Sequence, residues 1–185
     1  KHGNAVSNTY TLNLDFGSGV VVEGAGFLLN NEMDDFSAKA GVPNAFGVVG
    51  NAANAIAPGK RMLSSMTPSL LVQNNEVELV IGTPGGSTIF TSIFQVMTNL
   101  YHFNLPLADA VAAPRFHHQL LPENQITMEP YAPLSDEVQR QLKERGYNLV
   151  TQSWNLGDIQ VIKRTHGKVE AAADPRSRGV AKVFS

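Results

Sequence analysis

Apolar positions change period along this chain, and the changes mark its elements. Ala5 to Asn13 is rich in β-formers (Val6, Thr9, Tyr10, Thr11), which predicts a strand. Gly19 to Leu29 carries Val20-Val21-Val22 and Phe27-Leu28-Leu29, interrupted by Gly24 and Gly26, and predicts two short strands or one bulged strand. Ser37 to Lys60 holds scattered Gly and Pro and no sustained period. It reads as a long loop, and loops of that length inside compact domains are usually functional. Leu70 to Gln73 and Val77 to Gly82 flank Asn74-Asn75-Glu76, a hairpin signal.

Beyond Gly85-Gly86 the period lengthens. Ile89, Phe90, Ile93, Phe94, Met97, Leu100 and Tyr101 recur at helical spacing, with Ser87 as the expected cap. A second helix is expected from Leu107 to Ala113, ended near Pro114. The clearest helix runs from Ser135 to Arg145: Ser135 caps it, Asp136 and Glu137 fill its first turn, and Gly146 stops it. Tyr147 to Thr151, Asp158 to Lys163 and Lys168 to Ala172 read as strands, the last two joined at Thr165-His166-Gly167. Strands, then helices, then strands predict a sheet layer covered by helices. No repeat or domain boundary is visible, so a single domain over 1–185 is expected.

Composition narrows the picture. With 43% hydrophobic and 16% charged residues, a chain of 185 is globular and long enough for a sizeable core. A formal net charge of −2 without a Lys/Arg run makes nucleic acid and anionic membrane poor partners. No apolar stretch reaches the length of a membrane span. Cysteine is absent, which removes disulfides, a thiol nucleophile and Cys-based metal sites. No cofactor or metal is expected. The chain opens without Met or a signal peptide, on a polar Lys1-His2-Gly3-Asn4 turn that runs straight into a strand-like segment. It is expected to be cut from something longer.

Three segments carry candidate chemistry. Glu32, Asp34 and Asp35 repel one another and cost stability unless solvated or matched by a cation. They form either a solvated acidic turn or a cradle for an ammonium group. The apolar run Phe27-Leu28-Leu29 and the interleaved Met33 and Phe36 favour a partly buried turn that wants a partner. Ser64-Ser65 is an ordinary polar turn or a pair of hydroxyls for one ligand. Both hydroxyls reach one ligand only if the chain kinks there, because neighbours on a strand face opposite ways. Gly85-Gly86 is a tight turn, or a backbone anion site at a helix N-terminus, suited to an oxyanion or a phosphate. It matches neither a Walker nor a dinucleotide fingerprint. A serine hydrolase using His117 or His118 as base lacks a Gly-x-Ser-x-Gly elbow. That His pair lacks metal-ligand spacing, so packing and hydrogen bonding are its expected roles. Asp174-Pro175-Arg176 reads as a structural turn with a local ion pair.

The segments Thr9-Tyr10-Thr11-Leu12-Asn13, Leu28-Leu29-Asn30-Asn31-Glu32-Met33-Asp34-Asp35-Phe36-Ser37, Lys60-Arg61-Met62-Leu63-Ser64-Ser65-Met66, Gly82-Thr83-Pro84-Gly85-Gly86-Ser87, Ala113-Pro114-Arg115-Phe116-His117-His118-Gln119 and Asp174-Pro175-Arg176-Ser177 resemble γ-glutamyltransferase small subunits, in the same order. Ala40 and Met62 stand where family members often carry Pro, and the region around Trp154 matches least. The resemblance implies an α+β fold of the N-terminal nucleophile hydrolase type, an αββα sandwich. It implies a precursor that cleaves itself, a large subunit from that precursor as partner, and a periplasmic or secreted location. The family's nucleophile is a Thr expected a short way upstream of Lys1. It attacks the γ-glutamyl carbonyl of glutathione or related compounds, and the group passes to water, an amino acid or a peptide.

Residue by residue, the resemblance implies that the Thr11 hydroxyl orients the nucleophile. Asn13, Glu32 and Asp35 would hold the substrate α-amino group. Ser64 and Ser65 would hold the α-carboxylate, helped by an Arg of the large subunit, and Gly85 and Gly86 would form the oxyanion hole. The alternatives are a cephalosporin acylase-like or capsule transpeptidase-like relative, or a non-catalytic subunit. The intact acid and serine sets fit a free amino-acid end and favour the first reading.

Overall fold

In-and-out alternation begins at once, with Ala5, Ser7 and Thr9 half-buried and Val6, Asn8 and Tyr10 exposed. The computed structural model describes residues 3–184, so the polar start at Lys1-His2 lies outside the described residues. The expected strand over Ala5 to Asn13 is not one. Its side chains alternate from Ala5 to Tyr10, but no neighbouring strand closes a ladder with it among the described residues. A side-chain tie serves instead, with Ser7 Oγ donating to the Ile81 carbonyl at 2.7 Å. The chain divides into two compact units: Tyr10–Ser65, and the part up to Thr9 with everything from Met66 onward.

In the smaller unit, β1 (Val21–Val22) and β2 (Phe27–Leu28) form an antiparallel hairpin, the first of the two arrangements expected. A 3-10 turn, Glu32–Asp35, follows it. The stretch after Phe36 is the long loop its composition predicts, relieved by a 3-10 turn at Ala52–Asn54 and by bridges Ser37↔Ala55 and Pro43↔Val49.

The larger unit holds two sheets. β3 (Ser69–Gln73) and β4 (Glu76–Gly82) are joined by Asn74 and Asn75 at φ 51° and 64°. Two consecutive positive φ values make the primed turn that matches strand twist, and Asn tolerates them. Helix α1 is Ile89–Tyr101 and α2 is Leu107–Ala112. Strands β5 (Phe116–His118), β6 (Gln125–Met128) and β7 (Asn148–Thr151) make the second sheet. There β5–β6 is antiparallel, β6–β7 is parallel, and α3 (Asp136–Glu144) supplies the crossover. Strands β8 (Gln160–Thr165) and β9 (Lys168–Ala173) complete an antiparallel sheet of order β3-β4-β8-β9.

The core shows why these elements stack. Leu79 and Ile81 of β4 and Val161 of β8, with Ile159 just ahead of it, point one way. They meet Ile89, Ile93, Val96 and Leu100 of α1 and Ala110 and Val111 of α2. Fully burying one such Ile or Leu contributes about 1.5–3 kcal/mol. The expected sheet covered by helices is therefore present, and α2 stops one residue before the predicted Ala113. Ser135 Oγ accepts from Val138 N at 3.3 Å, as a cap should.

Ser87, in contrast, is not the cap of α1. The turn at Gly85-Gly86 winds first as a 3-10 turn over Gly86–Thr88, so the helix starts later, at a Thr88 cap, and Ser87 is buried. The apolar stripe of α1 is also wider than the sheet it covers: Phe90 and Phe94 stay 50% and 69% exposed. No helix among the described residues is long and apolar enough to cross a membrane.

Candidate active site

The smaller unit brings the acids and their neighbours together through Asn31. Its backbone N donates to the Leu12 carbonyl at 3.1 Å, its Oδ1 accepts from Leu14 N at 3.1 Å, and its carbonyl accepts from Asn13 Nδ2 at 3.3 Å. Asn13 sits at φ 76°, a left-handed conformation that Asn adopts at little cost. Its N–H donates to Thr11 Oγ1 at 2.8 Å. Thr11, Asn13 and the Glu32–Asp35 turn thus form one hydrogen-bonded group.

The acids are not equivalent. Asp34 accepts from Ala45 N at 3.2 Å and so anchors the long loop. Glu32 and Asp35 are half-buried, with carboxyls close enough to influence each other's protonation. Burial pushes the Glu32 carboxyl above its ordinary value, and the charge of Asp35 and the hydrogen bond to it add to this. Burial also raises Asp35, and the charge of Asp34 adds, while its bond to Glu32 pulls the other way. The pair therefore holds protons more tightly than free carboxyls. A cation placed against it would relieve both the repulsion and the desolvation.

Ser64 and Ser65 lie in an irregular stretch outside any strand, so facing rules do not separate their side chains. Ser64 is exposed and Ser65 half-buried. Asn54 joins this stretch to the acids: its Nδ2 donates to the Asp35 carbonyl at 2.7 Å, and its Oδ1 accepts from Leu63 N at 3.1 Å. Sequence reading missed Asn54. Its signal is a lone amide in an otherwise apolar Ala52-Ala53-Asn54-Ala55-Ile56 run.

Gly85 and Gly86 belong to the larger unit. Gly85 takes φ 140° and Gly86 φ 55°. A Cβ on Gly85 would stand 2.8 Å from Thr88 Oγ1, so both backbone angle and space call for glycine. The Gly85 carbonyl accepts from Thr88 N at 3.0 Å and Thr88 Oγ1 at 2.8 Å. It is thus turned into the first turn, at the end of the helix where backbone N–H groups lack helical partners.

Below this turn lies a feature that was only partly read from the sequence. Asp174 and Arg176 form the expected local pair at 3.2 Å, but Arg115 and Glu129 join them, and all four side chains are buried. Arg115 Nη2 reaches Asp174 Oδ2 at 2.6 Å, Arg176 Nε reaches Glu129 Oε2 at 2.8 Å, and Arg176 Nη2 contacts Glu129 Oε1. Burial, then Arg176, draws the Arg115 pKa down, and Asp174 opposes them. Burial works against Arg176 too, but Glu129 and Asp174 outweigh it and hold its pKa above the ordinary value. Two cations and two anions leave the cluster neutral. His117 plays the packing role expected: it is buried, with Nδ1 2.9 Å from Thr91 Oγ1 and Nε2 3.0 Å from Gln119 Oε1. Burial lowers its pKa and disfavours the imidazolium.

The chain is similar to proteins of one family. Residues 1–184 match the family model described as Gamma-glutamyltranspeptidase. A glutathione hydrolase proenzyme of Pseudomonas aeruginosa is 66% identical over 181 residues, 98% of this chain and 32% of the relative. That of Escherichia coli is 44% identical over 177 residues, 96% of this chain and 30% of the relative. The chain thus spans about a third of the length of the curated relatives it matches. A solved gamma-glutamyltranspeptidase from Pseudomonas nitroreducens, complexed with L-DON, superposes with a TM-score of 0.96 at 65% identity. That match covers 99% of this chain and 95% of the other. The fold is accordingly α+β, of the N-terminal nucleophile hydrolase type. The chain belongs to the gamma-glutamyltranspeptidase family.

Proposed function

We propose that this chain is the small subunit of a γ-glutamyltransferase that is also a glutathione hydrolase, acting with a large subunit cut from the same precursor. It works as one functional domain, in the periplasm or outside the cell. The observation that carries the proposal is the Glu32–Asp35 pair: two half-buried carboxyls in contact, both raised in pKa, in a chain so similar to glutathione hydrolase proenzymes. Such a pair is matched to an ammonium group, the feature that distinguishes a γ-glutamyl compound from a plain acyl amide.

The chemistry follows from the residues. Asn13, Glu32 and Asp35 hold the α-ammonium, and Ser64 and Ser65 hold the α-carboxylate. A ligand lacking the ammonium leaves the half-buried Glu32 and Asp35 carboxyls unmatched. The nucleophile is a Thr of the segment preceding Lys1, positioned by the Thr11 hydroxyl. Its oxygen bonds to the γ-carbonyl carbon as its proton passes to its own α-amine. The carbonyl oxygen becomes an oxyanion against the N–H groups of Gly85 and Gly86. Collapse breaks the C–N bond, and the leaving amine takes the proton. Water, an amino acid or a peptide then attacks the ester and releases the threonine oxygen.

The test is turnover of a γ-glutamyl anilide by the product of the complete precursor. Release of aniline with formation of a γ-glutamyl-threonine ester is the expected result. A correctly cleaved, folded product that forms no ester would overturn the proposal.

A further inference from the structure

The loop carrying Leu156, Gly157 and Asp158 touches the Gly85 turn, and its backbone is tied to buried side chains. Leu156 N donates to Glu129 Oε2 at 3.1 Å, and the Leu156 carbonyl accepts from Arg115 Nη1 at 2.6 Å. Ile159 N donates to Asp174 Oδ2 at 2.8 Å. Between these anchors, Asp158 N donates to Thr83 Oγ1 at 2.7 Å, and the same hydroxyl donates to the Pro84 carbonyl at 2.8 Å. Thr83 is 4% exposed and stands two residues before Gly85.

Contact is close enough to transmit position. A Cβ on Gly157 would stand 2.7 Å from Thr83 Oγ1, 3.3 Å from Ser92 Oγ and 3.5 Å from Arg115 Nη1. A Cβ on Gly85 would stand 3.6 Å from the Gly157 Cα. Glycine at 157, with φ 78°, lets the loop lie directly against Thr83 and the turn.

Four buried charges are a poor source of stability, because desolvation offsets their attraction. What they supply is direction. An apolar filling would pack as well but would offer nothing to Leu156 N, the Leu156 carbonyl or Ile159 N. We propose that the Arg115–Glu129–Asp174–Arg176 cluster is a positioning device for the Gly85-Gly86 turn, coupled to it through the Leu156–Asp158 loop and the Thr83 hydroxyl. The inference rests on the proposed function, in which that turn receives the oxyanion. An oxyanion hole acts by preorganisation, so a displaced turn costs rate before it costs substrate binding.

Thr83→Val and Thr83→Ser, made in the complete precursor, separate positioning from simple packing. Valine keeps the volume and removes both hydrogen bonds, and serine restores the hydroxyl. Thr83→Val is expected to lower kcat on the order of 10- to 100-fold with KM changed about 2-fold or less. Thr83→Ser should recover most of kcat. Arg115→Lys, which keeps the charge but loses the fork, should show the same split. Backbone hydrogen exchange over Gly85–Thr88 should quicken in Thr83→Val and Arg115→Lys. A folded Thr83→Val with wild-type kcat, a loss that serine does not rescue, or unaltered exchange would each overturn the inference. If Arg115→Lys fails to fold, the Thr83 pair decides alone. If the wild-type product turns over no γ-glutamyl compound, the functional reading falls. Exchange over Gly85–Thr88 then judges positioning by itself: faster exchange sustains it, unaltered exchange rejects it.

Discussion

Asp35 carries the sharpest single-residue expectation. Its proposed partner, an ammonium, is charged in ground and transition states alike, so removing the carboxylate should weaken both equally. Asp35→Ala should raise KM for a γ-glutamyl anilide far more than it lowers kcat, with a loss of about 2 kcal/mol in binding, the low end of the range for truncating one side of a buried charge pair because Asp35 is only half-buried. Steady-state kinetics check this, and an unchanged KM would reduce the acids to a solvated turn. The raised pKa values of Glu32 and Asp35 add a pH signature. A proton competes with the ammonium, so KM should climb as pH falls through the raised folded values. Stability has the opposite sign. Both groups bind protons more tightly folded than unfolded, so their contribution is greatest in acid. It declines as pH rises from the ordinary carboxyl value through the raised one. Thermal unfolding of wild type and Asp35→Asn across that window measures the difference.

At the scale of elements, the Gly85-Gly86 turn is the part whose geometry is least replaceable. Gly86→Val should damage kcat most, because its φ of 55° suits no β-branched residue and its proposed role is to offer an N–H to charge that develops only in the transition state. Loss of one such donor costs roughly 2.7–4 kcal/mol in barrier. Ligand affinity should change much less in a variant that circular dichroism shows to be folded. Near-normal kcat would limit the glycines to a structural turn.

Elements also show what a sequence makes legible. The Asn74-Asn75 and His166-Gly167 hairpins and the Ser135-capped helix were readable because their signals are local: φ-tolerant turn residues, a cap and a stop. Strands β5 and β6 were not. They are short, partly polar and held by partners far along the chain, with β6 pairing in parallel with β7 across a whole helix. The segment over Ala5 to Asn13 shows the converse. Its alternation is real, but propensity cannot provide a ladder partner. The same limit hid Asn54 and the Arg115–Glu129 half of the charge cluster, since sequence spacing says nothing about contacts between distant residues. Thr11, Asn13, Glu32 and Asp35 were named from the family resemblance of two short segments, and the structure adds that one residue, Asn31, ties those segments together.

For the whole molecule, the unit proposed to hold an ammonium and the turn proposed to hold an oxyanion occur in one chain that spans a third of its curated relatives. The 185-residue chain on its own is expected to release no aniline from a γ-glutamyl anilide, since the proposed nucleophile precedes Lys1. The product of the complete precursor should restore release, and turnover by the isolated chain would contradict that division of labour. The most direct measurement compares γ-glutamyl-p-nitroanilide with glutaryl-p-nitroanilide, which lacks only the α-amino group, in the matured enzyme and its Asp35→Asn variant. Wild type should prefer the amino substrate in kcat/KM by at least ~30-fold, the equivalent of about 2 kcal/mol, and Asp35→Asn should lose most of that preference. Equal kcat/KM for the two substrates in the wild-type enzyme, or a preference undiminished in the variant, would contradict ammonium recognition by the Glu32–Asp35 pair.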